Sequence, residues 1–382
     1  MKQYRLAIVQ SHATQFDASL YCRISGHTEI DLTVYYIDPG KEAPFDEEIG
    51  RKAAWDHLAG LRYHCETRRR GLRNAFPFLK QIKNGRHDLV VISGYSPWYY
   101  LIAAVYLRLK GVPVGLRSDT TLETDRSRAK SIVKSLVMPW IMKLYSTGHP
   151  IGSLAGKYLA RYGLPEKRQF RFPYTVDTDY LVSRCRRYRV RRVRLRRILG
   201  IGSDSFVVLG VLKLVEREDP MTLLLGFARF LESCQDAHLV LVGDGPLKRN
   251  IQNVIEEKCI SNVHLPGYIP YSRLALFYGI SDVFVHPPLR EPWGVSVNEA
   301  MACGLPVVVA DTVGSHVDFV KPGETGLVFR RKDPQSLADC LLGLSGGHDG
   351  CRLMGERAQA LVSGWNYEAT EKSLIAALET VV

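Results

Sequence analysis

Short apolar, β-branched runs alternate with amphipathic segments along most of this chain. Such a pattern predicts strands buried on both faces and helices that cover them. In the second half, strands are predicted over 206–214, 238–243, 262–266, 283–286, 306–310 and 326–329, with helices over 220–233, 246–258, 271–279, 294–303 and 334–344. That order predicts a doubly wound parallel sheet with ligand contacts in loops at the strand C-termini. The first half repeats the rhythm with longer excursions. Strands are predicted over 5–10, 31–37, 87–93 and 113–116, helices over 96–110 and 126–145, and a last strand within 168–176. Residues 38–70 are polar and lack clear periodicity. The fold class expected is α/β: two Rossmann-like, doubly wound domains facing across a cleft. The first domain spans 1–180 and the second 200–365, with a connector over 181–199 and a C-terminal helix over 366–382 packing back on the first domain.

A length of 382 residues exceeds one ordinary core, and 46 % hydrophobic with 24 % charged residues excludes a disordered chain. The eight cysteines are scattered and form no C-x-x-C pair, which suits reduced thiols in a cytoplasmic protein rather than disulfides or zinc. Lys134 and Lys143 interrupt the longest apolar stretch, and the N-terminus enters a strand-like run without a signal-peptide core. The expected location is cytoplasmic, with peripheral contact at the inner face of a membrane left open. Charge is uneven. Residues 1–180 hold 27 Lys/Arg against 17 Asp/Glu, 181–197 hold nine arginines and no acid, and 198–382 hold 15 against 22. A basic front half favours an anionic partner such as an acidic lipid surface or a lipid-linked acceptor. The arginine run carries no aromatic stacking platform or zinc finger, so no nucleic-acid partner is expected; it reads as a solvated linker helix or a lipid contact.

The densest chemistry lies in Glu291-Pro292-Trp293-Gly294-Val295-Ser296-Val297-Asn298-Glu299. A helix opening at Gly294 presents the backbone N–H groups of Gly294, Val295 and Ser296 together with the positive end of its dipole. That is a seat for a diphosphate. Glu291 before the turn and Glu299 inside the helix are placed to accept hydrogen bonds from hydroxyls on either side of it. The arrangement suits a nucleoside-diphosphate sugar.

Several motifs in order make the second half resemble the donor domain of retaining glycosyltransferases of family 4, with the GT-B architecture. They are Lys213-Leu214-Val215-Glu216-Arg217-Glu218-Asp219-Pro220, Val242-Gly243-Asp244-Gly245-Pro246, Gly267-Tyr268-Ile269, and the Glu291…Glu299 pair with its Ala-Met-Ala-Cys-Gly tail. The resemblance implies that Glu291 contacts sugar hydroxyls and Glu299 holds the ribose diol. It also implies that Trp293, Gly294, Val295 and Ser296 form the diphosphate turn, that Tyr268 and Ile269 hold the base, and that Gly245 belongs to the donor pocket. A basic pair five residues apart neutralises the leaving diphosphate in that family. Here Lys213 matches the first position, but Glu218 stands at the second, and Arg217 is the candidate to replace it. The resemblance is looser in the first half, where Asp119 is the candidate for acceptor contact or else a helix cap.

The activity implied is a hexosyl or N-acetylhexosaminyl transfer from a nucleotide-sugar, most readily a UDP-sugar, with retention and without metal or other cofactor. The basic front half favours a setting in cell-surface polysaccharide or glycolipid assembly. Asp177-Thr178-Asp179 resembles a metal-binding Asp-X-Asp, but it lies where the family has a lone aspartate at a domain junction. Trp55-Asp56-His57 is an acceptor element or a buried tryptophan beside a turn. A nucleotide-sugar epimerase of the same fold and a non-catalytic membrane-associated binding protein are the competing readings.

Overall fold

A computed structural model describes residues 3–14, 16–37, 45, 46, 48, 51, 52, 62–67, 72–96, 98–122 and 128–382. Trp55-Asp56-His57 lie outside the described residues. The chain divides into two compact units: Met1–Glu42, Leu58–Thr175 and Trp365–Val382 form the first, Ala43–His57 and Val176–Gly364 the second. Among the described residues no helix is long and apolar enough to cross a membrane.

The first unit is built on a six-stranded parallel sheet in the order Cys65–Thr67, Ile30–Tyr36, Tyr4–Gln10, Leu89–Ser93, Val114–Ser118, Thr147–Pro150. Its central strand shows no polar alternation because both faces are covered. Leu6 and Ile8 pack with Leu374 and Leu378 of the helix Tyr367–Val381, whereas Ala7 and Val9 pack with Tyr100 and Leu107 of the helix Trp98–Leu109. Arg23 also pairs with Glu371 of the C-terminal helix at 3.1 Å.

Both edges of this sheet differ from expectation. The last strand is Thr147–Pro150, not a segment within 168–176. Gly, His and Pro give Thr147–Pro150 little strand propensity, yet all four residues are buried and pair in register with Gly115–Ser118. Residues 168–176 only run alongside it. Gln169 forms a single bridge to Gly148, and the Phe170 and Phe172 N–H groups donate to Gly148 and Pro150 at 2.8 and 3.1 Å. At the other edge, Cys65–Thr67 forms a strand in a region that shows no periodicity.

The second unit holds a six-stranded parallel sheet in the order Val263–Gly267, Ala237–Val242, Phe206–Val211, Val283–His286, Val307–Ala310, Gly326–Phe329. Each lies where a strand is predicted. The first stops at Val211 because Leu212 and Leu214 turn to loop contacts, their N–H groups donating to Val242 and Asp244 at 3.1 and 3.0 Å.

The arginine-rich run is helical, as expected, but only partly solvated. It forms the helices Thr178–Arg189 and Arg192–Ile198, and both belong to the second unit. Arg196 is completely buried. Its guanidinium meets Asp282 at 2.6 Å and donates to the carbonyls of Ile280, Ser203 and Ser205 at 2.8, 3.1 and 2.8 Å. Arg192 pairs with the other oxygen of Asp282, and Asp282 also accepts the Val207 N–H at 2.8 Å. Charge composition alone cannot separate these arginines from Arg191, Arg194 and Arg197, which are exposed. Arg196→Gln should therefore destabilise the protein by about 3–5 kcal/mol, because it takes from a desolvated carboxylate its fully buried cation. Arg194→Gln should cost less than about 0.5 kcal/mol. Equal urea midpoints for the two variants would show that Asp282 does not depend on Arg196.

Candidate functional site

The C-terminal ends of the second unit's strands converge through close backbone contacts. A Cβ on Gly243 would come within 1.8 Å of the Leu212 carbonyl oxygen, and one on Gly245 within 2.5 Å of that of Leu214. Both glycines have φ near +150°, so two features demand glycine there. Gly245 thus locks the segment that carries Lys213. Tyr268 and Ile269 follow Gly267 at the end of the strand Val263–Gly267, and both are half-buried.

The helix Val295–Ala302 opens on Gly294, whose φ of +91° again favours glycine. The Val297 N–H closes on the Gly294 carbonyl at 3.1 Å, so Val295 and Ser296 form the first turn, half-exposed. The turn before the helix is pinned from the next loop. Gly314 N–H donates to the Glu291 carbonyl at 2.8 Å and Ser315 N–H to that of Trp293 at 3.0 Å. Trp293 is buried with its ring edge-on to Phe319, 5.2 Å between centroids. It anchors the turn, while its backbone N–H donates to Glu291 Oε1 at 3.2 Å.

The glutamates lie in different surroundings. Glu299 is buried and accepts a hydrogen bond from the Tyr278 hydroxyl at 2.7 Å. Burial pushes its carboxyl up to about 7, against a smaller downward effect of the Tyr278 bond. Glu291 is half-exposed and belongs to an ion-pair network. Arg217 reaches Glu291 at 3.6 Å, Glu218 at 2.8 Å and Glu48 at 3.4 Å, and Lys213 reaches Glu48 at 2.6 Å. Glu218 is buried, and its carboxyl is pushed up to about 7 by desolvation, with Arg217 opposing. Behind them His286 is buried at the end of its strand and held down to about 3 by burial and by Arg217. Asp219 adopts φ +47° and caps the helix Pro220–Leu231, accepting from the Thr222 N–H and hydroxyl at 3.3 and 2.6 Å.

The structure thus gathers Lys213, Arg217 and Glu291 into one network, with Glu299 in the helix that follows Glu291. Asp119 belongs to the first unit, where it lines a cavity of about 280 Å³ with Ser93, Tyr95, Arg117 and Tyr174. The Tyr174 hydroxyl donates to Asp119 at 3.3 Å. Beneath it lies a buried pair that sequence reasoning does not single out. Arg117 meets Asp17 at 2.9 Å, donates to the carbonyls of Phe172 and Pro173, and stacks over Phe172 at 3.9 Å. An arginine inside the buried strand Val114–Ser118 was the available signal. Asp177 accepts the Tyr180 N–H at 2.9 Å and caps its helix, which accounts for the first aspartate of Asp177-Thr178-Asp179.

Residues 192–361 match the family described as glycosyl transferases group 1. That match makes the second unit similar to this family over most of its length. Curated relatives align over limited stretches. The α-monoglucosyldiacylglycerol synthase of Acholeplasma laidlawii is 30 % identical over 137 residues, 35 % of this chain and 34 % of that protein. A D-inositol 3-phosphate glycosyltransferase of Corynebacterium urealyticum is 32 % identical over 188 residues, 47 % and 44 % of the two chains. The chain thus spans less than half the length of these relatives, 34 % and 44 %. Solved structures agree over the whole chain at the level of fold. Anabaena Alr3699/HepE in complex with UDP superposes with TM-score 0.75 at 16 % identity, covering 99 % of this chain and all of the other. Sucrose-phosphate synthase from Thermosynechococcus elongatus does so with TM-score 0.68 at 18 % identity, covering 98 % of both chains.

The raised carboxyl of Glu299 makes a signed prediction. A folded-state value above the unfolded one contributes stability that is present below about pH 4.5 and lost as pH rises through about 7. Glu299→Gln keeps an acceptor for Tyr278 and removes that loss. The unliganded variant should match the wild type near pH 4.5 and exceed it at pH 8 by about 2–3 kcal/mol. Urea melts at the two pH values check this, and a pH-independent difference would mean that Glu299 does not titrate as a buried acid.

Proposed function

We propose that this chain is a glycosyltransferase of the hexosyl or N-acetylhexosaminyl class that takes its sugar from a UDP-sugar with retention of configuration. The observation that carries this reading is the assembly of Lys213, Arg217 and Glu291 beside the helix that opens at Gly294. Fixed cations and first-turn N–H groups would hold a diphosphate and stabilise it as it leaves. Glu291 is placed for sugar hydroxyls and Glu299 for the ribose diol. Retention is proposed as same-face attack assisted by the departing phosphate, since no side chain there is an evident nucleophile. The UDP assignment draws support from the Anabaena HepE complexes with UDP and with UDP-glucose.

A lipid-linked acceptor at an anionic membrane surface is favoured by a specific feature of the first unit. The helix Arg128–Met142 buries Met138 and Met142 but exposes Ile132, Val133, Leu136, Val137 and Trp140. Leu136 is 67 % and Trp140 70 % exposed, and the Lys143 ammonium sits 4.1 Å from the Trp140 ring centre. An apolar outer face on the strongly basic half suits insertion among acidic headgroups. The Acholeplasma relative, named for a glucosyldiacylglycerol product, is consistent with such an acceptor. Asp119 and its cavity are the proposed acceptor contacts, cell-surface glycolipid or polysaccharide assembly the proposed setting, and the cytoplasmic membrane face the proposed place of action.

The reading is tested with a panel of nucleotide sugars. UDP-sugars should be turned over in preference to GDP- and ADP-sugars. Glu299→Ala should weaken UDP binding by roughly 1.5–3 kcal/mol through lost charged hydrogen bonds. Glu291→Ala should lower turnover more than UDP affinity, and equal loss of UDP affinity in both variants would refute this division of roles. The surface is tested with Leu136→Ser/Trp140→Ser. Binding to vesicles rich in phosphatidylglycerol should fall at least tenfold while donor hydrolysis persists. Equal binding of the wild type to neutral vesicles would remove the charge argument.

A further inference from the structure

The residue at the second basic position is an acid, and its surroundings are those of a cation site. Side-chain ligand atoms of Glu218, His286 and Glu291 all lie within 4.8 Å of one another. Three atoms at that spacing lie within about 2.8 Å of a common centre, so bonds of about 2.1 Å require the side chains to close in by up to about 0.7 Å. His286 is 3 % exposed, and neither of its ring nitrogens has a hydrogen-bond partner among the described residues. A buried imidazole with two orphan nitrogens beside two carboxylates needs an explanation, and a metal ion supplies one.

We infer that Glu218, His286 and Glu291 bind a divalent cation of the Mn²⁺ type, which takes the place of the absent second basic residue at the diphosphate. The inference rests on the donor reading above and replaces the expectation of a metal-free transfer. Charge supports it. Among the described residues, the network sets the carboxylates of Glu48, Glu218 and Glu291 against the cations of Lys213 and Arg217. A diphosphate brought to that network adds negative charge where one positive group is missing. Arg217 now pairs with both Glu218 and Glu291. With the ion bound, Arg217 is free to turn to the diphosphate. One imidazole and two carboxylates, completed by diphosphate oxygens, match the mixed N/O preference of Mn²⁺.

The test uses the full chain stripped with EDTA. Mn²⁺ alone is titrated by electron paramagnetic resonance, and UDP binding is then measured by calorimetry with and without Mn²⁺. The wild type should hold one Mn²⁺ per chain and bind UDP at least tenfold tighter with the metal. Glu218→Gln and His286→Asn should each weaken Mn²⁺ binding tenfold or more while retaining a cooperative thermal transition. Glu218→Lys restores the basic residue and should bind UDP equally with or without Mn²⁺. No Mn²⁺ site in the wild type, or Mn²⁺ affinity unchanged in both Glu218→Gln and His286→Asn, overturns the inference. If UDP also binds tightly in EDTA and Glu299→Ala abolishes that binding, the donor reading survives alone. Mn²⁺ held by Glu218 and His286 with no UDP binding under any condition supports the metal site and refutes the donor reading.

Discussion

A charge removed from water must be compensated, and that constraint shapes both units. Asp282 is held by Arg196 and Arg192 and ties the arginine-rich helices to the start of a central strand. Asp17 is held by Arg117, which in turn gathers the carbonyls of Phe172 and Pro173 beside the cavity of the first unit. Both pairs are nearly fully satisfied, since each guanidinium also donates to backbone carbonyls. Pairs of this kind add little net stability but allow few alternative arrangements. They fix where loops leave the sheets.

The Arg217 network obeys the same constraint incompletely. Arg217 is shared among Glu48, Glu218 and Glu291, and it stays 43 % exposed at the side chain. Glu218 behind it is desolvated by more than Arg217 and Lys213 offset, which is why its carboxyl rises to about 7. A scaffold pair has no use for such a deficit. At a ligand seat it is the expected condition, because part of the compensation arrives with the ligand.

The second sheet was legible in the sequence because apolar runs covered on both faces and broken by glycine turns have few alternatives. The first sheet was less so. Thr147–Pro150 is a strand by virtue of its neighbours, against the propensities of Gly148 and Pro150, so only tertiary pairing reveals it. The candidate site divides in the same way. Glu291, Gly294 and Glu299 announce themselves through spacing and a helix start. Asp17 meets Arg117 across 100 positions, and His286 meets Glu218 across 68, distances at which no local pattern carries information. Arg196 shows the converse, since a run of arginines hides one that is fully buried.

Glu218 is where these threads join. A lysine there would place a third positive group beside Lys213 and Arg217, and His286 would be buried next to a concentrated positive field. A glutamate instead pairs with Arg217 beside a His286 that burial keeps neutral, and under the proposed cation site it exchanges a fixed positive charge for one brought in from solution. The neighbouring backbone is held by other groups: Asp219 caps the following helix, and Leu289 N–H donates to the Arg217 carbonyl at 2.8 Å. Under the proposed cation site, this one side chain decides whether a leaving group meets a fixed cation or an exchangeable one.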